Sequence, residues 1–304
     1  MSPSFQPSTS NVPSVSFQPT ISFPPSLPPP DWEQFGSVII GDNIQKIVFS
    51  DSGTLLGTIF NSVETVGRVR CFTPGGCGRF YQNPNLSNWN QVGPLDVVVD
   101  AANNTLVDLA LSGDGTRAAF VSIADDDGAD GLQERRVQIL SVPDLQPVGS
   151  SIVDDQLGFD AKSKTSICLS TDGSLLTMGM GNGENGVNLV QAWSFQAGSW
   201  SKLGAVLNTT YSEATMEYSG DCRTVAITNK DTRSYIFELG STAWTSRDVG
   251  FPSTKFSSIA LDSDGSKLAA RSFSATGLID IYEYVQNSWT MTASIVSGQV
   301  YEGK

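Results

Sequence analysis

Short apolar runs alternate with clusters of Gly, Asn, Asp and Ser along the chain from Trp32 onward. The runs are rich in Val, Ile, Leu, Phe and Tyr. This pattern is typical of β-strands joined by turns. No segment shows a convincing helical period. The sequence therefore predicts an all-β fold for residues 32–304.

Five turns that resemble Ser-x-Asp-Gly recur between pairs of apolar runs. They lie at residues 50–53, 112–115, 170–173, 219–222 and 262–265, and Cys222 stands where the other copies have glycine. Asp-Gly is a tight hairpin signal, so each turn joins a first strand to a second strand. The predicted first strands are residues 46–50, 106–112, 166–170, 215–219 and 257–262. The predicted second strands are residues 55–60, 117–122, 175–179, 224–228 and 267–271.

A third and a fourth strand complete each predicted unit. The predicted third strands are residues 67–72, 136–140, 188–195, 235–239 and 278–284. The first four copies of the fourth strand open with the pattern Trp-x-x-x-Gly, with Leu145 in place of Trp in one of them, and a tryptophan alone marks the last two copies. The markers are Trp32, Trp89, Leu145, Trp200, Trp244 and Trp289, separated by 57, 56, 55, 44 and 45 residues.

Four-stranded units of about 40–50 residues are the signature of a β-propeller. We therefore predict a propeller of five four-stranded blades, with the ring closed by a terminal strand. Six marker positions are one more than five blades need. Either Trp32 or Trp289 is the spare copy, or the chain is cut from a longer array. We expect residues 32–304 to form this domain and residues 1–31, rich in Ser and Pro, to be a disordered linker.

The composition excludes several classes of function. The chain of 304 residues contains no histidine, so it has no Ser-His-Asp triad and no imidazole metal site. Its formal charge of −13 argues against nucleic acid as a partner. No apolar stretch is long enough for a transmembrane helix, and we expect no membrane insertion. No signal peptide is recognisable, and the abrupt C-terminus suits a piece of a longer protein.

The Ser-x-Asp-Gly turns and the Trp-x-x-x-Gly strands resemble WD40-like propeller repeats. They resemble most closely the Trp-x-Gln-x-Gly repeat proteins of diatoms and other stramenopiles, and Trp32-Glu33-Gln34 and Trp89-Asn90-Gln91 match that form. The resemblance covers residues 32–297 and implies the propeller fold. The chain lacks the Gly-His and Trp-Asp pairs of true WD40 repeats, so the partners of those proteins are not implied.

An acidic loop follows the second strand of the second unit. Asp125, Asp127 and Asp130, with two glycines between and after them, offer the oxygen ligands that Ca²⁺ prefers. The spacing is one residue short of known calcium loops, so a solvated acidic loop is the alternative interpretation. Calcium is the one cofactor that the sequence suggests.

Further acidic residues fall on loops at the same end of the predicted ring. Because variable loops on a rigid scaffold carry binding sites, we predict a ligand face there. Its candidate residues are Asp42, Asp100, Asp154, Asp155, Asp160 and Glu184.

The cysteines and glycosylation sequons indicate an extracellular or cell-surface setting. A Pro-Gly-Gly turn can bring Cys71 and Cys77 together as a disulfide, whereas Cys168 is expected to be a small buried apolar residue. The sequons begin at Asn85, Asn103 and Asn208.

The tryptophans of the repeat are expected to pack between blades, with Trp193, off the pattern, as the best candidate for an exposed aromatic.

Three functions are compatible with these features. The first is a non-enzymatic binding or structural scaffold module for a protein or carbohydrate ligand. The second is a carboxylate-dependent glycoside-active enzyme, which requires two carboxylates that converge at the central channel with raised pKa values. The third is a calcium-dependent adhesion or assembly protein. The sequence leaves the oligomeric state open.

Overall fold

A computed structural model describes residues 44–60, 77–82, 90–97, 104–124, 135–154, 164–181, 188–209, 215–228, 233–252, 255–272 and 278–296. Every element in these ranges is a β-strand. The strands are β1 Ile44–Phe49, β2 Leu55–Phe60, β3 Cys77–Gln82, β4 Asn90–Val97, β5 Asn104–Leu111, β6 Arg117–Ala124, β7 Arg135–Ser141, β8 Ile152–Asp154, β9 Lys164–Leu169, β10 Leu175–Gly181, β11 Asn188–Gln196, β12 Ser199–Thr209, β13 Thr215–Tyr218, β14 Thr224–Thr228, β15 Tyr235–Leu239, β16 Trp244–Ser246, β17 Phe256–Leu261, β18 Lys267–Ser272, β19 Leu278–Val285 and β20 Ser288–Val296.

The strands form five antiparallel four-stranded sheets, each made of four strands consecutive in the sequence. The sheets are the five blades of a β-propeller, as predicted. We number the blades one to five in chain order. The first strand of each blade, β1, β5, β9, β13 and β17, is the inner strand, and each inner strand contacts the next along the chain.

Side-chain hydrogen bonds within the Ser-x-Asp-Gly turns explain why the inner two strands begin and end as predicted. In the turn of blade three, the Ser170 hydroxyl donates to Asp172 (2.8 Å), and the backbone N–H of Ser174 donates to the same carboxylate (2.9 Å). The Leu175 N–H then donates to the Ser170 hydroxyl (2.9 Å). These hydrogen bonds hold the tight turn and so fix where the first strand ends and the second begins.

The hydrophobic core lies between the blades. Separate clusters of buried side chains join blade one to two, two to three, three to four and four to five. The blade two–three cluster, for example, packs Val121 and Val137 against Met178 and Trp193. Burial of the apolar faces against neighbouring blades is the main stabilisation expected for stacked repeats.

The structure explains the Trp-x-x-x-Gly pattern as a contact between successive blades. Trp200 of blade three donates its indole N–H to the carbonyl of Val148 in blade two (2.8 Å). The next residue, Gly149, has φ of 79°, and a Cβ there would lie 2.9 Å from Cδ1 of Trp200. Trp289 of blade five makes the same bond to the Arg247 carbonyl of blade four (2.6 Å). Gly149 of blade two thus receives the indole ring of Trp200 of blade three.

Three expectations about the strands and tryptophans were wrong. The third strand of blade one is Cys77–Gln82, where the pattern predicted residues 67–72. In blade two the segment beginning at Leu145 is largely a turn with one bridge at Pro147, and the outer strand is Ile152–Asp154. Trp193 is buried rather than exposed, because β11 has a neighbouring blade on its face.

The outer strand of blade five is β20, which contains Trp289. The Trp32 segment and the predicted linker of residues 1–31 lie outside the described residues. In the described part of the chain, nothing helical has the length and apolar character to cross a membrane.

Candidate functional site

The inner strands of blades one to four and their adjoining turns line an open cavity of about 210 Å³. Its wall is polar and apolar in about equal parts, and Leu109 and Ile167 are among the apolar residues. Polar groups enter it from Lys46, Asp51 and Tyr218. A cavity of this size admits a few solvent molecules or a small chemical group rather than a drug-sized ligand.

A buried carboxylate connects three blades beside this cavity. Asp108 on β5 is only 2% exposed. One of its oxygens, Oδ1, accepts from the Lys46 ammonium of blade one and from the Leu109 N–H (2.8 Å). The other, Oδ2, accepts from the Ile167 N–H of blade three (3.0 Å). Both oxygens are therefore occupied by charge-assisted hydrogen bonds, the strong class for a buried ion.

Burial raises the pKa of Asp108, and the Lys46 ammonium together with the two backbone donors opposes that rise. The Lys46–Asp108 pair thus joins a buried carboxylate, whose two oxygens both accept hydrogen bonds, to a lysine that is about a third exposed. Removal of one partner would leave an uncompensated charge in the core. The pair acts as a strut between the inner strands of blades one, two and three.

Glu217 and Tyr218 occupy the neighbouring inner strand, β13. Glu217 is exposed, and desolvation raises its pKa, with Lys46 opposing and Asp108 reinforcing the rise. The Tyr218 hydroxyl donates to the Ser166 carbonyl of blade three (3.2 Å), and burial raises the pKa of this phenol well above its usual range. Tyr218 is therefore a neutral hydrogen-bond donor between blades three and four.

Asp108 and Glu217 thus both have raised pKa values, and the charge of Asp108 is near enough to contribute to the rise at Glu217. They differ in access, because Glu217 is exposed and Asp108 has both oxygens bonded within the fold. A glycosidase needs both carboxylates to contact the sugar. In this geometry Asp108 cannot do so unless the Lys46 contact and two backbone hydrogen bonds break.

The turns at one end of the channel also join the blades. The Asp51 N–H donates to the Gly113 carbonyl of blade two (3.0 Å), and the Asp114 N–H donates to Thr171 of blade three (2.9 Å). The Asp221 N–H of blade four donates to Ser263 of blade five (2.7 Å). We call this end of the ring the turn face, and the opposite end, at which β2, β6, β10, β14 and β18 finish, the loop face.

A disulfide joins blades three and four at the same level. Cys168 on β9 is bonded to Cys222 in the turn of blade four. The expectation that Cys168 is a free buried apolar residue was therefore wrong. In the chain-entropy model, a cross-link over 54 residues contributes about 4 kcal/mol.

The repeat explains how the two cysteines meet. The turn glycine of a blade abuts the preceding blade, as Gly173 abuts Arg117 and Gly265 abuts Thr224. Cys222 takes that glycine position and keeps its left-handed backbone, with φ of 59°. Its side chain therefore points at blade three, where Cys168 stands.

Most of the residues proposed for the ligand face fall outside the described residues. These are the calcium candidates Asp125, Asp127 and Asp130, and the loop residues Asp42, Asp100, Asp155, Asp160 and Glu184. Asp154 ends β8, where its backbone pairs with Arg135. In the ranges that the structure describes, no three acidic or cysteine residues are grouped so as to hold a metal ion.

The predicted Cys71–Cys77 disulfide and two of the three glycosylation sequons also involve residues outside the described ranges. Cys77 begins β3, and its predicted partner Cys71 lies outside the described residues. Of the three sequons, Asn85 and Asn103 also lie outside them. Asn208 is exposed near the end of β12. The sequons and the Cys71–Cys77 bond therefore remain predictions.

No family model matches this sequence, and no curated protein matches it. Among solved structures, one from a complex of the fission yeast SREBP–SCAP binding domains is similar with a TM-score of 0.53 and 12% identity. It covers 86% of this chain and 64% of that one. A prolyl endopeptidase structure has a TM-score of 0.50 and 15% identity, covering 83% of this chain and 34% of that one.

A lower TM-score of 0.41, at 12% identity, relates the chain to the β-propeller domain of Myceliophteria thermophila Cps50 (Swd1), covering 86% of this chain and 89% of that one. The chain spans about a third of the length of the endopeptidase and about two thirds of the yeast protein. At such identities the likeness concerns the fold alone. The propeller is therefore shared with both enzymes and binding domains, and the choice between them depends on the site.

Proposed function

We propose that this protein is a non-enzymatic binding or structural module that holds a protein or glycan ligand on its loop face. The observation that carries the proposal is the arrangement around Asp108. Of the two carboxylates with raised pKa values, Asp108 is bonded into the scaffold by Lys46 and two backbone N–H groups. Asp108 and its partners therefore serve to hold the blades together, and we assign ligand binding to the loops of the loop face.

The similarity to a fold found in a complex of binding domains supports a protein as partner. The acidic candidates of the loop face, Asp100, Asp154, Asp155 and Asp160, favour a basic patch on that partner. A carbohydrate ligand is the second class, because carboxylates also accept hydrogen bonds from sugar hydroxyls.

The experiment measures binding of the folded ring to a glycan array and to proteins captured from secreted fractions. The variant replaces Asp100, Asp155 and Asp160 with Asn. The control is Asp144→Asn, which changes an exposed carboxylate on the hairpin between β7 and β8 at the turn face. We expect the triple variant to lose a captured ligand and the control to retain it. Equal retention by both would contradict a ligand on the loop face.

A glycoside-active enzyme is the alternative, and the raised pKa of the exposed Glu217 is the observation in its favour. Its test is hydrolysis of a panel of polysaccharides by the wild type and by Glu217→Gln. Activity that Glu217→Gln abolishes, with the melting temperature unchanged, would replace the binding proposal with the enzyme.

The setting proposed for this module is extracellular or on the cell surface. The Cys168–Cys222 bond supports it, since disulfides persist in oxidising compartments. A calcium-dependent form of the module would use Asp125, Asp127 and Asp130. Thermal melting with Ca²⁺ and with chelator tests this role, and an equal melting temperature in both would remove the metal.

A further inference from the structure

We propose that the Cys168–Cys222 disulfide is a site of thiol–disulfide exchange reached through the central cavity, where a small thiol attacks Cys168. The two sulfurs differ in access. Cys222 is fully buried, whereas Cys168 is partly exposed and lines the cavity. An incoming thiolate therefore meets the Cys168 sulfur and not the Cys222 sulfur.

The exchange is a balanced displacement. The thiolate of a small monothiol forms a bond to Sγ of Cys168, the Sγ–Sγ bond breaks, and Cys222 leaves as a thiolate that takes a proton from water. A second thiolate then attacks the sulfur of the adduct, which releases Cys168 as a thiolate and the small molecule as its own disulfide. Two electrons pass from the two small thiols to the protein disulfide.

The consequence of exchange is confined to one junction of the ring. Turn-to-turn backbone hydrogen bonds join blades one and two, two and three, and four and five. Among the described residues, the turns of blades three and four share no such backbone bond. The disulfide stands in its place, with a hydrogen bond from the Thr177 hydroxyl to the Cys222 carbonyl (2.8 Å). Reduction should therefore loosen blade three from blade four and leave the other junctions intact.

The first experiment treats the native protein with 2-mercaptoethanol, a monothiol small enough for the cavity, and maps adducts by mass spectrometry. We expect a mixed disulfide on Cys168, forming at a rate proportional to the thiol concentration and unchanged by low urea. A rate that rises steeply with urea would show that the sulfurs react only after global unfolding, and would overturn the proposal. An adduct mainly on Cys222 would do the same.

The second experiment measures amide hydrogen exchange with and without dithiothreitol. We expect about 10-fold faster exchange in β9 and β13 after reduction, with β17 and β18 unchanged as an internal control. Cys168→Ala with Cys222→Gly restores the glycine of the other turns and removes the bond without new strain. The amides of β9 and β13 in this double variant should exchange fast both with and without dithiothreitol. Protection equal to that of the oxidised wild type would show that the disulfide does not hold the junction.

Discussion

Substitution of the inter-blade tryptophans should destabilise the ring in proportion to their burial. Trp289 is 3% exposed, packs near Tyr284 with ring centroids 5.2 Å apart, and donates to the Arg247 carbonyl. Trp289→Ala loses a buried aromatic ring and that hydrogen bond, and should cost about 3–5 kcal/mol. Trp200 is only partly buried, so Trp200→Ala should cost less, about 2–3 kcal/mol.

Trp200→Phe separates the ring from the hydrogen bond. It keeps most of the apolar contact with Gly149 and with Phe195, whose ring centroid lies 5.1 Å from that of Trp200. It loses the N–H that donates to Val148, which should cost about 1 kcal/mol. Ser201→Ala, an exposed neighbour on the same strand, should stay within about 0.5 kcal/mol of the wild type.

The assay is urea unfolding followed by far-UV circular dichroism, because tryptophan fluorescence changes with the substitution itself. The expected order of destabilisation is Trp289→Ala, Trp200→Ala, Trp200→Phe and Ser201→Ala. A Trp200→Ala variant within about 0.5 kcal/mol of the wild type, the ordinary range for surface changes, would refute the idea that this motif joins the blades.

Two further substitutions test the strut and the turns. Lys46→Met leaves Asp108 charged and without its ion-pair partner in the core, and should lower the free energy of unfolding by about 3 kcal/mol at pH 7. Part of this stability should return in acid, because Asp108 becomes neutral. Urea titrations that show the same loss of stability at pH 7 and pH 4 would contradict the strut. Hydrogen bonds from Ser174 and Ser170 lower the pKa of Asp172 below its usual 3.8, so its contribution is present above that value and is lost as the pH falls through the folded-state pKa. Asp172→Asn should therefore lower the free energy of unfolding by less than about 1 kcal/mol at neutral pH, because the carboxylate is largely exposed. It should also make the difference in unfolding free energy between pH 7 and pH 2 smaller than in the wild type. If that pH difference is the same in both proteins, the hydrogen bonds to Asp172 do not stabilise the turn.

The sequence predicted the inner two strands of every blade to within two residues, because a chemically defined turn separates them. The third strand of blade one was misplaced for the opposite reason. Residues 67–72 and 77–82 both have strand-like composition, and only the pairing of Leu56 with Tyr81 and of Thr58 with Arg79 selects the second segment. That register depends on contacts across the sheet, which a local pattern does not contain.

The channel strut and the disulfide were missed because their partners are far apart in sequence. Asp108 is 62 residues from Lys46, and Cys168 is 54 residues from Cys222. A signal existed in both cases. Asp108 is a lone charge in an apolar strand, and Cys222 breaks an otherwise regular glycine position. Alignment of the five units against one another would have shown that Asp108 and Cys222 differ from the residues at the equivalent positions, and would have identified both as candidates for a specific contact.

Every blade is built from four neighbouring stretches of chain, with no strand exchanged between blades in the described part of the molecule. The start and end of a repeat in the gene therefore coincide with the start and end of one wedge of the protein. Duplication or loss of a single repeat would add or remove a complete wedge with all four of its strands. A change in repeat number would keep the contacts that recur between blades, whereas the Asp108 strut and the Cys168–Cys222 bond tie blades one to four to their present neighbours.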